Sequence, residues 1–153
     1  MIGRLLRAAL ALALILGFGS PALLAQAAAT TPLLDANKVT EAELARLPHL
    51  NATLARAIVA RRPFKNVTEL DALLSPTLSR MDLTELYGRL FVPVELNTAT
   101  DAEILLIPGI GNRMLREFKE YRPYAAMAQF RREIGKYVSA EEVARFERYV
   151  YIK

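Results

Sequence analysis

Apolar positions along this chain fall into short clusters, and the clusters recur at a fixed interval of 60 residues. Leu54 falls on Met114, Ile58 on Phe118 and Leu86 on Phe146. Polar residues keep the same frame: Asn37 with Asn97, Thr40 with Thr100, Glu43 with Glu103, and Ser79 with Ser139. So do Leu47-Pro48 with Ile107-Pro108 and Arg62-Pro63-Phe64 with Arg122-Pro123-Tyr124. Agreement of this extent without a gap marks an internal duplication, the feature to settle before any fold is assigned.

The local signals are those of helices. Thr40 and Thr100 each stand three residues before a glutamate, the pattern of a capping box that satisfies orphan amides at a helix start. The first helix of each copy is expected to end at Leu47 or Ile107, since the next residue is proline. A four-residue hairpin follows, Pro48-His49-Leu50-Asn51 in one copy and Pro108-Gly109-Ile110-Gly111 in the other. Second helices then run to about Arg61 and Tyr121. Asn66 with Glu69 opens a short helix to Leu74, and Ser79 caps another reaching about Arg89. Their counterparts span roughly 125–134 and 140–148. Each copy closes on a short apolar stretch, Phe91-Val92-Pro93-Val94, which reads as the linker, and Tyr149-Val150-Tyr151-Ile152. The expected fold is all-α, in two tandem domains at 33–92 and 95–153.

The N-terminus follows a different pattern. Arg4 and Arg7 precede an apolar run from Ala8 to Phe18, Gly19-Ser20-Pro21 breaks it, and Ala25-Gln26-Ala27 offers small residues. That layout is a secretory signal peptide over residues 1–27, cleaved after Ala27. It implies an exported protein, with the periplasm the expected compartment. An uncleaved membrane anchor is the alternative, because no charge appears from Ala8 to Leu34.

Removing the leader changes the charge argument. The chain has 20 Lys and Arg against 16 Asp and Glu; without Arg4 and Arg7 the excess is halved. The working protein is therefore not strongly basic, and charge alone does not point to nucleic acid. With no cysteine, the fold rests on packing, and one histidine excludes the usual zinc ligand sets.

Candidate chemistry lies in the hairpins. In Pro108-Gly109-Ile110-Gly111 the glycines permit positive φ and close approach of backbone to a ligand, and Ile110 is expected to tuck between the helices. The amides of Gly111, Asn112 and Arg113 then face outward at a helix start, a ready anion site. The same glycines would serve equally as a tight interhelical turn. Arg113, Arg116, Lys119 and Arg122 follow at every third position, interleaved with Glu117 and Glu120, as a phosphate track or a solvated face. Arg131 and Arg132 are a further basic pair beside Glu133. His49 at the first hairpin tip reads as an exposed loop residue. Asp82 and Glu85 lie three apart without a pocket-forming glycine turn or a histidine nearby, and read as surface residues, not an acid/base pair. The aromatics Tyr121, Tyr124, Phe130, Tyr137, Phe146, Tyr149 and Tyr151 offer stacking for single strands, but their recurrence argues for packing. No nucleophile motif or Walker loop appears, so neither an enzyme nor a cofactor is expected.

Leu96-Asn97-Thr98-Ala99-Thr100, Glu103, Ile107-Pro108-Gly109-Ile110-Gly111 and Tyr121-Arg122 resemble ComEA-like helix-hairpin-helix proteins, of the SAM-like class. Residues 35–94 resemble them more loosely. Members of that family are exported or membrane-anchored and bind double-stranded DNA during natural transformation. The resemblance implies a phosphate site at Gly109, Ile110 and Gly111 with the amides that follow, including Asn112 and Arg113, and Arg116 beside it. It also implies sequence-independent contact with the backbone and a place in DNA uptake and competence. The first copy departs from the pattern, with His49, Leu50 and Asn51 as a degenerate hairpin. The second hairpins, Leu74-Ser75-Pro76-Thr77-Leu78 and Ile134-Gly135-Lys136-Tyr137-Val138, depart too. A weaker resemblance is to the 12-kilodalton extrinsic subunit of photosystem II, which implies an exported protein-interaction or scaffold module without DNA. Either partner is a macromolecule; no small-molecule substrate is expected.

Overall fold

Each repeat opens on a two-residue strand that pairs with the two-residue strand closing the same repeat. In the computed structural model, which describes residues 32–153, the first repeat runs β1 (Leu34–Asp35), α1 (Glu41–Leu44), α2 (Ala52–Arg61), α3 (Val67–Leu74), α4 (Arg80–Tyr87) and β2 (Leu90–Phe91). The second runs β3 (Val94–Glu95), α5 (Asp101–Leu105), α6 (Asn112–Glu120), α7 (Met127–Ile134), α8 (Ala140–Glu147) and β4 (Val150–Tyr151). The expected leader and its cleavage point lie outside the described residues. Among the described residues no helix is long and apolar enough to cross a membrane.

The fold is mostly helical, and the all-α expectation needs one correction. Leu34 pairs with Leu90 and Asp35 with Phe91 in a parallel ladder, and Val94 with Val150 and Glu95 with Tyr151 in another. Both closing apolar stretches are therefore partly strand, and of the expected linker only Val92-Pro93 lies between the strands of the two repeats. Val94, Val150, Phe91 and Tyr151 are of the β-branched and aromatic types that suit a half-buried pleat. No helical period signals a strand of two residues.

Both expected capping boxes form, at Thr40 with Glu43 and Thr100 with Glu103. The helices they open stop sooner than expected, at Leu44 and Leu105. The chain tightens ahead of the prolines instead: Leu47 N–H donates to the Leu44 carbonyl at 3.0 Å and Ile107 N–H to Ile104 at 3.1 Å, the short-range bonding typical of a helix end. The Arg-Pro-aromatic segment is held by the asparagine it shares a repeat with. Asn37 donates to the Phe64 carbonyl at 2.9 Å and accepts from the Phe64 amide at 2.8 Å. Asn97 does the same with Tyr124 at 3.0 and 2.7 Å.

One apolar core runs through both repeats. Its first half is aliphatic, with Leu44, Ile58, Leu70, Leu74 and Leu86 fully enclosed. Its second half is aromatic: Phe118 meets Phe130 and Phe146 edge-on, with ring centres 5.1 and 5.6 Å apart. At the seam Tyr149 packs edge-on against Phe91 at 4.9 Å, and its hydroxyl donates to the Tyr87 carbonyl at 3.2 Å. Most of the aromatics are thus packing residues. Tyr151 is the exception, 39% exposed.

Candidate functional site

The two hairpin tips differ in what holds them. In the second repeat Pro108 to Gly111 turns the chain between α5 and α6, and Ile110 is buried between them. Its side chain therefore packs beneath the turn. Gly109 sits at φ +82°, where an L side chain is strained. Gly111 is different: φ is −107°, and a side chain added there would meet nothing within 4 Å. Only one of the two glycines is needed for backbone geometry.

Gly111 is the N-cap of α6 and has no side chain to cap it. The amides of that first turn, from Asn112 on, are left for an outside acceptor, with the positive end of the helix dipole behind them. Arg113 and Arg116 are exposed beside them, without an ion-pair partner among the described residues. The rest of the basic row is engaged elsewhere. Lys119 pairs with Asp101 at 2.6 Å. Arg122 turns inward, with Nε and Nη2 enclosed. Arg131 pairs with Glu147 at 2.6 Å and Arg132 with Glu133 at 2.8 Å. What remains is a compact site: the α6 amides flanked by two arginines.

The first hairpin is closed by its own side chains. Asn51 caps α2 by accepting from the Leu54 amide at 2.9 Å, so the amide left open in α6 is satisfied here. Asn51 is extended, at φ −115°. The left-handed residue is His49, at φ +64°. Its Nδ1 faces Asp82 at 3.2 Å and its Nε2 faces Glu85 at 2.9 Å, both on α4. Both carboxylates lie at the surface, as read, but the expectation of no histidine nearby needs correction: one from 33 and 36 positions earlier lies between them. Local spacing carries no signal of it. Leu50 is buried like Ile110.

The equivalent place in the second repeat is filled from the other side. Arg145 Nε and Nη2 grip Glu142 at 2.8 and 2.6 Å, and a Cβ on Gly109 would lie 2.8 Å from that Nη2. The hydrogen bonds from Arg145 hold the Glu142 carboxyl below its ordinary range. In the first repeat Asp82 is also lowered, mainly by Ser79 and only slightly by His49. Two carboxylates thus stand at the first hairpin around one histidine, whereas a carboxylate neutralised by arginine stands at the second.

Two short helices joined by a tight hairpin recur in each repeat. Residues 30–75 match the family model described as the helix-hairpin-helix motif. No curated protein and no solved structure matches the chain. The match falls on the first repeat, whose hairpin is closed. The open hairpin is in the second.

Proposed function

We propose that this is an exported, non-enzymatic protein that binds double-stranded DNA without regard to sequence, in the manner of ComEA-like proteins that serve DNA uptake. The hairpin at Gly109–Arg113 holds one phosphate on the α6 amides, with Arg113 and Arg116 on its neighbours. The uncapped Gly111 carries this reading, because a helix start left without its own cap beside two unpaired arginines is built for an anion. Helix-hairpin-helix motifs commonly bind nucleic acid, which supports the same partner.

Few contacts mean weak binding. Each neutralised phosphate contributes a slope of about −0.9 in log K against log salt; two or three contacts give a slope of roughly −2 to −3. Fluorescence anisotropy with a labelled duplex of scrambled sequence across a salt series measures it. Arg113→Glu with Arg116→Glu is expected to abolish binding at moderate salt, and Gly109→Val to weaken it strongly in a protein that remains folded. A folded protein that ignores the duplex at low salt would sink the proposal. The second reading, a protein-interaction module, would then stand. It is favoured by the first hairpin, where Asp82 and Glu85 repel phosphate.

A further inference from the structure

Where the two repeats meet, a groove of about 500 Å³ opens between the first repeat and the closing strand of the second. Its floor is apolar, with Phe64 and Val150 buried. Its rim carries Lys38, Lys65 and Arg148, and Tyr151 stands at its edge. One carboxylate, Asp35, also lines it. That carboxylate is used locally, accepting from the Asn37 amide at 2.9 Å and pairing with Lys38 at 3.3 Å. Lys65 has no ion-pair partner among the described residues, so the rim adds positive charge beyond the Asp35–Lys38 pair.

The duplication shows which of these residues the fold itself requires. Asp35 corresponds to Glu95, Asn37 to Asn97 and Phe64 to Tyr124, so the frame of the groove is present in both repeats. The cations are not. Lys38 corresponds to Thr98, Lys65 to Ala125 and Arg148 to Gly88. Lys38 and Lys65 stand on the copy of this frame that opens at the seam, and Arg148 reaches it from the second repeat, although the repeats differ little in net charge. Tyr151 corresponds to Phe91, which is buried; here the ring reaches solvent. A concave basic groove with an exposed aromatic at its edge suits an extended anionic chain with flat bases. The convex, regular backbone of a duplex has no way into it.

We propose that the seam groove binds a single strand of nucleic acid, with its phosphates on Lys38 and Lys65 and one base stacked on Tyr151. This site is separate from the Gly109 hairpin and does not depend on it. Single-strand sites elsewhere combine the same two elements, a cationic track and aromatic faces.

The test is anisotropy of the protein with a labelled oligothymidine of roughly six nucleotides, alongside the duplex titration. Lys38→Glu with Lys65→Glu is expected to weaken oligothymidine binding at least about tenfold and to flatten its salt slope by about 1.4, two contacts at about 0.7 each. Tyr151→Ala is expected to weaken it about fivefold or more, the loss of one stacked base. Gly109→Val should leave it unchanged while reducing duplex binding. Thermal melting of each variant confirms that it is folded. Oligothymidine binding lost with Gly109→Val but indifferent to the lysines would overturn the groove and leave the hairpin standing. Binding lost with the lysines but insensitive to Tyr151, and displaced equally by polyglutamate, would also overturn it, in favour of an acidic peptide. Groove-dependent oligothymidine binding in a protein that ignores duplex would uphold the groove and remove the duplex reading.

Discussion

The two hairpins have the same backbone path and opposite electrostatics. In both, a residue at positive φ begins the turn, an apolar residue tucks beneath it, and a helix starts two residues later. In the first, Asn51 satisfies that helix from within and His49 is held between Asp82 and Glu85. In the second, Gly111 leaves the amides open and Glu142 is neutralised by Arg145. The fold accommodates both tips, with Leu50 or Ile110 buried beneath each in the same way. Two side chains and the helix facing them separate the closed first hairpin from the second, where we propose the anion site.

The largest test asks whether the repeats can be compared as separate objects at all. Phe118 and its counterpart Ile58 are both fully enclosed. Phe118→Ala is expected to cost about 3–5 kcal/mol and Ile58→Ala about 2–5 kcal/mol. Since Tyr149 and Phe91 join the two halves of one core, each variant should lower the urea midpoint of a single transition monitored by circular dichroism. Two separate transitions, with only one moved by each variant, would show that the repeats are independent.

A smaller effect probes the feature both repeats share. Asn97→Ala leaves the Tyr124 amide and carbonyl without the bonds that Asn97 supplies, at about 1–3 kcal/mol per orphaned group. Asn37→Ala should cost nearly the same, because the geometry at Phe64 is nearly identical. A large difference between them in denaturant titrations would break the equivalence drawn from the backbone.

Much of this was legible in the sequence, for stated physical reasons. The capping residues, the prolines and the apolar positions are local signals, and the duplication read each of them twice. The strands were missed because two residues carry no period. The His49 clamp was missed because its partners come from a helix 33 residues away, and no local rule links them. The hairpin glycines were read as equal, whereas only Gly109 needs its conformation. Its neighbour Gly111 matters for the side chain it lacks.

Acid should act on both repeats modestly. The carboxyls of Glu43, lowered chiefly by Thr40, Asp82, lowered chiefly by Ser79, and Glu142, lowered chiefly by Arg145, all lie below their ordinary range. A depressed folded-state value means the stabilisation is fully present above the unfolded value and is lost as pH falls through the folded one. Thermal midpoints are expected to hold near neutrality and to decline progressively from about pH 5 downward. A midpoint that rises on acidification would contradict these pairings.

The smallest expected change in stability is the most direct on the site. Gly111→Asn gives the second hairpin the cap of the first, and nothing within 4 Å obstructs the added side chain. An asparagine N-cap exceeds glycine by a few tenths of a kcal/mol, so the variant should melt slightly higher. Its side chain would take the Met114 amide, as Asn51 takes Leu54, and occupy the space where a phosphate would sit. Duplex binding should therefore fall several-fold while stability rises. Opposite signs in the two measurements separate loss of the site from loss of the fold. If binding is unchanged in a protein that melts higher, the α6 amides are not the anion site, and Arg113 and Arg116 alone must carry any contact with DNA.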